Sequence, residues 1–420
     1  MSILLTLINS FAILLIAFFF YKKYGIDYSK LYWISLVLKV AGGCALGLVY
    51  LYYYTTSDTW TFFNEASHQA DLAIADLREY FNYLISNTST NNVSHPLYLE
   101  DRNSILIKFI SLLCLISGNN YWICAVYFSI ISFACAWYLF VQIINFFPSA
   151  SSAIAMPLFF FPSIIFWGSG IIKETFALAG IYLITSIFIR YVFNVSIKWN
   201  HILVGIVSLI VVWMLKYYWL AIYLGVLIPT AFTLFLYKKK RYTGSKLILV
   251  WFSTLVVAAI LTTLIHPNFY LSRIFEVIIS NNESFLIASD SRNVINFHQL
   301  QPTWWSIAIN SPWAVLSGLF RPFIWEASNL PAALASFENL ILLAFTIFAA
   351  LNFKNYHHKE SFMILLIYCV ILCTFLALST PNLGTLSRYR VGFLPFYVFA
   401  IGYQNPLIEY FAKQFRFFKE

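Results

Sequence analysis

The sequence predicts an all-α polytopic membrane protein with about eleven transmembrane helices, within a range of about ten to thirteen. The chain is 61% hydrophobic and only 10% of its residues are charged. Its mean hydropathy is +0.76. Apolar runs of roughly 20 residues, the length that spans the hydrocarbon core of a bilayer, recur from one end of the chain to the other.

Each predicted span is an apolar run bounded by polar or basic residues. The first run is predicted to be a retained helix, because no basic residue precedes it and no A-x-A-like cleavage site follows it. The spans lie at approximately 2–21, 31–54, 121–147, 153–167, 175–193, 201–216, 218–237, 247–265, 334–352, 361–379 and 391–409.

Clusters of lysine and arginine orient these spans. Under the positive-inside rule, the side that carries the clusters is cytoplasmic. With eleven spans, the N-terminus is predicted to lie outside and the C-terminus in the cytoplasm. The basic segments are 22–30, 190–201, 238–246, 354–360 and 412–420.

Residues 1–420 are predicted to form a single integral membrane domain with two larger loops on the outer side. The loop 55–120 carries a candidate acidic site, and the loop 266–333 carries a Pro-broken aromatic segment. The segments 103–118 and 304–325 within these loops are predicted to be interfacial or re-entrant helices.

The net charge of +9 does not indicate a nucleic-acid partner, because no basic domain is present and the membrane topology explains the charge. All six cysteines lie in apolar segments. They are therefore predicted to be small buried hydrophobic residues, not disulfide partners or zinc ligands.

Chemically distinct polar groups, in contrast, gather at the outer ends of the spans and in the two outer loops. Asp58 lies where the chain leaves the second span, and Glu65 lies two helical turns later on the same face if this stretch is helical. These carboxylates are the candidate catalytic residues, able to take a proton from an acceptor hydroxyl. The alternative is that Asp58 only caps the helix that follows.

Two further outer stretches carry supporting candidates. His95 and Arg102 precede the amphipathic segment of the first loop, where the alternative is the polar edge of an interfacial helix. Lys173 and Glu174 follow a Gly-Ser-Gly turn. Lys173 is a candidate phosphate ligand that Glu174 orients, and the alternative is that Glu174 favours a helix N-terminus while Lys173 neutralises it.

The second outer loop offers Arg321 and Glu326, embedded among aromatic residues, as candidate site residues. The aromatic residues Trp313 and Trp325, together with Trp167 beside the Gly-Ser-Gly turn, are candidate contacts for sugar rings or a lipid chain. Any interfacial segment also carries such aromatic residues.

Arg388 and Arg390 stand before the last span in the stretch "STPNLGTLSRYRVGFLP". Two arginines in this spacing diverge on a helix but point alike in an extended segment, where both guanidinium groups could clamp a pyrophosphate. The alternative is a pair of snorkelling membrane anchors.

Taken together, an acidic residue in the first outer loop, the turn "FWGSGIIKE" and the late stretch "GTLSRYRVGFLP" resemble bacterial envelope-polysaccharide membrane proteins. The resemblance is to the GT-C superfold of polyprenyl-phosphate-sugar-dependent glycosyltransferases and to the related O-antigen or exopolysaccharide polymerases. It implies that Asp58 is the catalytic base or a metal-site residue. It also implies that Arg388 and Arg390, with Arg321 or Lys173, bind the lipid-linked phosphate.

The function expected from this resemblance is glycosyl transfer at the outer face of the bacterial inner (plasma) membrane, as single-sugar transfer or repeat-unit polymerisation. The partners would be a polyprenyl-linked glycan donor, a glycan or lipid acceptor, and the bilayer. A divalent metal, Mg²⁺ or Mn²⁺, is the cofactor that Asp58 could hold, although no second acid adjoins it. The alternative functions are a lipid-carrier transporter (flippase) and a non-enzymatic envelope assembly protein.

Overall fold

The computed structural model describes residues 2–54, 58–85, 101–239, 245–270, 273–357 and 359–415. Within these ranges the fold is all-helical, and the backbone pairing outside the helices and turns is an isolated bridge between Val294 and Asn382. His95 lies outside the described residues. Arg102 lies on a described helix, but its side chain is not described.

The helices are numbered here in chain order. The first nine are α1 Ser2–Tyr24, α2 Ser29–Tyr52, α3 Asp58–Ala75, α4 Leu77–Ile85, α5 Asp101–Ser117, α6 Tyr121–Phe146, α7 Ser151–Ala155, α8 Pro162–Trp167 and α9 Lys173–Val192. They are followed by α10 Trp199–Lys238, α11 Ser245–Thr262, α12 Ile274–Ala288, α13 Trp304–Phe320, α14 Leu330–Asn352, α15 Lys359–Ser379, α16 Leu383–Tyr389, α17 Leu394–Gly402 and α18 Pro406–Phe415.

Seven helices in the described ranges are long and apolar enough to cross a membrane. They include α1, α2, α6, α9, α10, α14 and α15. This agrees with the predicted class of helical, multi-pass membrane protein. The predicted number of about eleven spans is not confirmed.

Two of the predicted spans are interrupted. The span predicted at 391–409 consists of α17 and α18, which are separated at Asn405, whose side-chain oxygen accepts a hydrogen bond from the backbone N–H of Leu407. The span predicted at 153–167 consists of α7, a π-helical turn at Met156–Phe160 and α8. A proline at 162 opens α8, as expected for a residue that has no N–H to donate and is best placed in a first turn.

Of the two prolines in the segment predicted to be Pro-broken, Pro312 does not interrupt the helix, whereas Pro322 lies just beyond its end. Helix α13 continues through Pro312. The hydroxyl of the preceding Ser311 donates to the Ile307 carbonyl, one turn back. The helix ends at Phe320, before the cis peptide bond between Arg321 and Pro322.

Helix α10 reverses direction at Lys216, where the backbone is not helical (φ −146°, ψ 63°). A straight helix of 40 residues would be about 60 Å long, twice the hydrocarbon thickness of a bilayer. Contacts with α9 establish the reversal. In the part of α10 before Lys216, Gly205 lies beside Ile187 of α9, and Val212 lies beside Gly180 of α9. Residue numbers thus rise along α10 while they fall along α9.

In the part of α10 after Lys216, residue numbers rise along both α10 and α9. The Thr185 and Tyr223 hydroxyls are 2.8 Å apart, and Lys238 Nζ donates to the Tyr191 carbonyl at 2.8 Å. Residues 199–215 and 217–238 are therefore two antiparallel arms, as the separate predictions of spans at 201–216 and 218–237 required. Lys216 is the tip of this hairpin.

The core between the helices is dense in aromatic side chains. Trp137 packs against Phe159 with ring centroids 5.3 Å apart, and its indole N–H donates to the Tyr24 carbonyl. At the other end of α6, Tyr121 stacks on Trp60 with centroids 3.8 Å apart. These contacts join α6 to α1 at one end of the bundle and to α3 at the other, the end where the hairpin tip also lies.

The hairpin predicts that both ends of α10 face the same side of the membrane. Single cysteines replacing the exposed residues Asn200 and Lys239 should react with a membrane-impermeant maleimide from one side, because each arm crosses once. A cysteine replacing Tyr270, in the loop beside the hairpin tip, should react from the other side. Labelling in right-side-out and inverted vesicles measures this, with the wild-type protein as control for its six native cysteines. Opposite-side labelling of positions 200 and 239 would contradict the hairpin.

Candidate functional site

Five chain segments meet at the end of the bundle that contains the hairpin tip. They are the C-terminus of α2, the first turn of α3, the first turn of α9, the tip at Lys216 and the C-terminus of α16. The Asn382 side chain accepts from the Thr385 N–H at 2.8 Å and caps α16. The capped helix carries Arg388 toward the other four segments.

The guanidinium of Arg388 lies between two carboxylates. Its Nη1 is 2.7 Å from Asp58 Oδ2, and its Nε is 3.4 Å from Glu174 Oε1. Nη1 also donates to the Tyr50 hydroxyl at 3.3 Å. The structure thus brings together three of the residues that the sequence marks, Asp58, Glu174 and Arg388, although they lie far apart in the chain.

A second cation, Lys216, completes the charge arrangement from the hairpin tip. Its Nζ is 2.8 Å from Glu174 Oε1, and both side chains are almost fully buried. The Lys216 ammonium also lies 3.7 Å from the centroid of the Tyr389 ring, a cation–π contact. The nearby ammonium lowers the pKa of the Tyr389 phenol, because it stabilises the phenolate.

These groups surround a cavity of about 170 Å³. Lys173 also lines it, with its ammonium 5.7 Å from the Phe62 ring centroid. The charged and phenolic residues of the lining are Asp58, Lys173, Glu174, Lys216, Arg388 and Tyr389. The cavity therefore offers two carboxylates and three cations, a set that can bind an anionic phosphate and accept one proton.

The turn before α9 positions Lys173 and Glu174. The Gly168 carbonyl accepts hydrogen bonds from the Ser132 hydroxyl and from Lys39 Nζ at 3.3 Å. Lys39 is a fully buried residue of α2, and its Nζ lies at the C-terminal end of α8, where it donates to the Gly168 carbonyl.

Close approach of the turn to α2 explains the glycine at position 170. A Cβ built on Gly170 would lie 2.8 Å from a methyl carbon of Leu46, so a side chain there would push the turn away from α2. The Gly170 carbonyl accepts a hydrogen bond from the Thr175 hydroxyl at 2.7 Å. This bond joins the turn to the first turn of α9.

Arg390 does not share the cavity with Arg388. The extended segment that would let both arginines clamp one pyrophosphate is absent, because α16 and the 3₁₀ turn Arg390–Gly392 are helical. Residues two apart on a helix point in different directions. Arg390 is fully buried, with Nη2 3.2 Å from Glu338 Oε1 and Nη1 donating to Asn339 Oδ1 at 2.7 Å.

The partners of Arg390 form a separate polar cluster in the core. Glu338 accepts from the Ser163 hydroxyl and from the Ser163 backbone N–H at 2.7 Å. The cluster joins α14, the start of α8 and the chain after α16. Arg390 is fully buried and does not line the cavity, so this arrangement is suited to holding helices together.

Arg321 and Glu326 form a third pair outside the cavity lining. Their closest atoms, Nη2 and Oε1, are 2.6 Å apart, and the Phe323 N–H donates to the Glu326 carboxylate at 2.9 Å. Burial raises the pKa of Glu326. The hydrogen bonds from Arg321 and Phe323 and the charge of Arg321 together lower this pKa by more, so the pKa of Glu326 is below its usual value.

The remaining candidates lie at varying distances from the cavity lining. Glu65 is buried on α3 and accepts from Gln69 Nε2 at 3.0 Å. Trp167 is half-buried and packs edge-on against Tyr50, at the border of the site. Trp313 lies 5.7 Å from the Arg321 guanidinium, and the exposed Trp325 stacks on Phe323.

No cluster of three or more His, Cys, Asp or Glu residues suited to a metal occurs in the described ranges. The described charged partner of Asp58 is the Arg388 guanidinium, a cation in the position where a second acid would favour metal binding. Asp58 therefore fits an ionic or proton-accepting role better than that of a metal ligand.

Sequence reasoning gave no role to Tyr50, Lys216, Tyr389 or Glu338. Lys216 was detectable as an isolated lysine at the end of an apolar run. A charge in such a place indicates a function or a buried partner. Tyr50 and Tyr389 are two among 28 tyrosines, so their importance appears only in the folded chain.

Comparison of the chain with protein-family models, with curated proteins and with solved structures found no match.

The buried cluster predicts that Arg390→Gln strongly destabilises the protein. The substitution leaves the Glu338 carboxylate buried without its cation, a loss of about 3–5 kcal/mol in the free energy of unfolding. Titration with SDS in mixed micelles measures this loss. Arg292→Gln is the matched control, because Arg292 pairs with Asp290 on the exposed surface, where the pair contributes little. Equal stability of the two variants would show that the Arg390 cluster does not hold the helices.

Proposed function

We propose that this protein is a membrane glycosyltransferase that uses a polyprenyl-phosphate-linked or polyprenyl-pyrophosphate-linked sugar or oligosaccharide as donor. The observation that carries the proposal is the Arg388 guanidinium 2.7 Å from the Asp58 carboxylate, on the wall of a cavity that Lys173 and Lys216 also line. A phosphate ligand and a proton acceptor are thus adjacent at one end of an apolar helical bundle.

The chemistry divides between these residues. The acceptor hydroxyl attacks the anomeric carbon of the donor sugar and gives its proton to Asp58. The bond between the anomeric carbon and the phosphate oxygen breaks, and the phosphate leaves with the electron pair. Arg388 and Lys173 stabilise the negative charge that develops on the leaving phosphate. One carboxylate is sufficient because the leaving phosphate needs no proton.

The buried residues behind Arg388 have a positioning role in this proposal. Glu174 is 3% exposed and is held by Lys216, so its role is to fix the guanidinium of Arg388. Arg390 has a structural role, and Arg321 with Trp313 and Trp325 would contact the glycan or the lipid chain farther from the reacting bond.

Charge distribution supports a location of the site at the outer face of the bacterial inner membrane. The opposite end of the bundle carries Lys198 and Lys238 at the two ends of α10, and Arg190 at the end of α9. A basic end is typical of the cytoplasmic side. The proposed orientation therefore puts the N-terminus outside and the C-terminus in the cytoplasm.

A transporter would use charged groups at mid-depth in its helices. Lys39 is such a group, but its hydrogen bonds to Gly168 and Ser132 give it a structural role. An envelope assembly protein without catalysis would not depend on the Asp58 carboxylate. These two alternatives therefore differ from glycosyl transfer in their response to substitution of Asp58.

The proposal predicts that Asp58→Asn abolishes glycan synthesis while the protein stays folded. Loss of a catalytic base lowers turnover by about 10²–10⁴-fold, and Arg388→Gln should lower it by about 10²–10³-fold because leaving-group stabilisation is lost. The measurement is the profile of lipid-linked glycans and polysaccharide, by mass spectrometry and gel electrophoresis, in cells that carry each variant in place of the wild-type copy.

Asp71→Asn is the matched control. Asp71 is an exposed carboxylate on the same helix, α3, and accepts from Asn119 Nδ2 at 2.8 Å, a bond that asparagine can also accept. This variant should keep the wild-type glycan profile. A normal glycan profile in cells whose Asp58→Asn protein is folded and inserted in the membrane would contradict the catalytic proposal and favour an assembly role.

A further inference from the structure

The two acidic partners of Arg388 differ in how firmly they are held. The Glu174 side chain is 3% exposed and also binds Lys216 at 2.8 Å. The Asp58 side chain is 48% exposed, although its oxygen lies only 2.7 Å from Arg388 Nη1. The buried carboxylate of Glu174 therefore fixes Arg388 on the protein side, and the accessible carboxylate of Asp58 covers it on the exposed side.

We propose that the phosphate of the donor takes the place of the Asp58 carboxylate on Arg388, so that the bound donor itself releases the catalytic base. This inference rests on the proposed function. It explains how one residue serves as base although its carboxylate is paired with a cation: the pair exists before the donor binds and is exchanged when the donor arrives.

The cavity brings the incoming phosphate to the right partner. Asp58, Lys173 and Arg388 line the same cavity of about 170 Å³, so a phosphate that enters it meets both members of the ion pair. The planar guanidinium binds phosphate oxygens as well as it binds a carboxylate. A phosphate can thus form the contact that Asp58 gives up.

Charge balance favours the exchange. Asp58 and Glu174 match the charges of Lys216 and Arg388, and Lys173 is a third cation at the cavity. A polyprenyl phosphosugar is a phosphodiester with a single negative charge, so after the exchange Arg388 again has a singly charged anionic partner. A pyrophosphate brings additional negative charge, which Lys173 is placed to compensate.

The backbone around Asp58 does not have to move. The Thr59 and Tyr121 hydroxyls are 2.8 Å apart, and the Trp60 indole N–H donates to the Gly47 carbonyl at 3.0 Å. These contacts anchor the first turn of α3, so rotation of the Asp58 side chain is enough. The released carboxylate is accessible to water and to the acceptor hydroxyl, which limits the cost of separating the pair.

The test is the affinity of the purified protein in detergent for farnesyl phosphate, a short polyprenyl phosphate. Asp58→Asn should bind the probe about five- to tenfold more tightly than the wild type, because the competing carboxylate is lost and coupling energies between neighbouring groups have this size. Asp58→Glu, which keeps a competing acid, should stay near the wild-type affinity. Asp71→Asn removes a charge elsewhere on α3 and should leave the affinity unchanged.

The double variant isolates the ion pair. Arg388→Gln should weaken binding, and Asp58→Asn added to it should produce no gain, since there is no guanidinium left to uncover. Inorganic phosphate as a second probe distinguishes a lipid-linked ligand from free phosphate. Tighter binding of farnesyl phosphate supports the lipid-linked donor, and equal affinity would overturn it.

Unchanged or weaker binding by Asp58→Asn would overturn the exchange while leaving the proposed function intact, provided that the wild type binds the probe. A wild type that binds neither probe would overturn both. Asp58→Ala is the second variant in case asparagine impairs folding. Failure of both variants to fold would also overturn the inference, because the ion pair would then be part of the fold and not an exchangeable cover.

Discussion

The buried carboxylate of Glu174 is the group on which the architecture of this end of the bundle depends. It lies 2.8 Å from Lys216 and 3.4 Å from Arg388. Its removal would take the carboxylate from the buried Lys216 ammonium and would leave Arg388 with Asp58 as its described acidic partner. Removing one partner of a buried charge pair is far more costly than losing an exposed pair. Helix α9, the tip of the α10 hairpin and the end of α16 must therefore keep fixed positions relative to one another. The reversal of α10 at a lysine follows from the same requirement, since the tip must present an ammonium group to Glu174.

The stretch that contains Arg388 and Arg390 shows how one short motif supplies two separate parts of the molecule. A helical backbone turns the two guanidinium groups apart, so that one faces the cavity and the other enters the core beside Glu338. The site and the helix packing next to it are thus built from residues only two positions apart. Because the core arginine fixes the chain just after α16, the cavity arginine has little freedom to move away from its carboxylates.

The helical membrane class and several of the site residues could be predicted from the sequence. The contacts between residues far apart in the chain could not. Hydropathy alone predicts the helical membrane class, and isolated charges at the ends of apolar runs mark Asp58, Glu174 and Arg388 before their contacts are known. The local sequence cannot decide whether residues 388–390 are helical or extended, because that depends on the cap formed by Asn382 and on packing. It also cannot reveal that Glu338 accepts from Ser163, 175 residues away. The predicted eleven spans counted apolar runs, and a run can be interrupted, as at Asn405, without losing its apolar composition.

Lys39 has a consequence for the biogenesis of the protein. Helix α2 is synthesised early, but the two groups that accept hydrogen bonds from the Lys39 amine, Ser132 and the Gly168 carbonyl, follow 93 and 129 residues later. During synthesis α2 must therefore enter the bilayer before the Lys39 amine has these partners, and a lysine near a helix centre costs about 2.5–3.5 kcal/mol on insertion scales. The helix is poorly suited to settle in lipid alone. We expect α2 to remain beside the insertion machinery until α6 and α8 emerge. A single buried side chain would then influence the order in which the helices assemble.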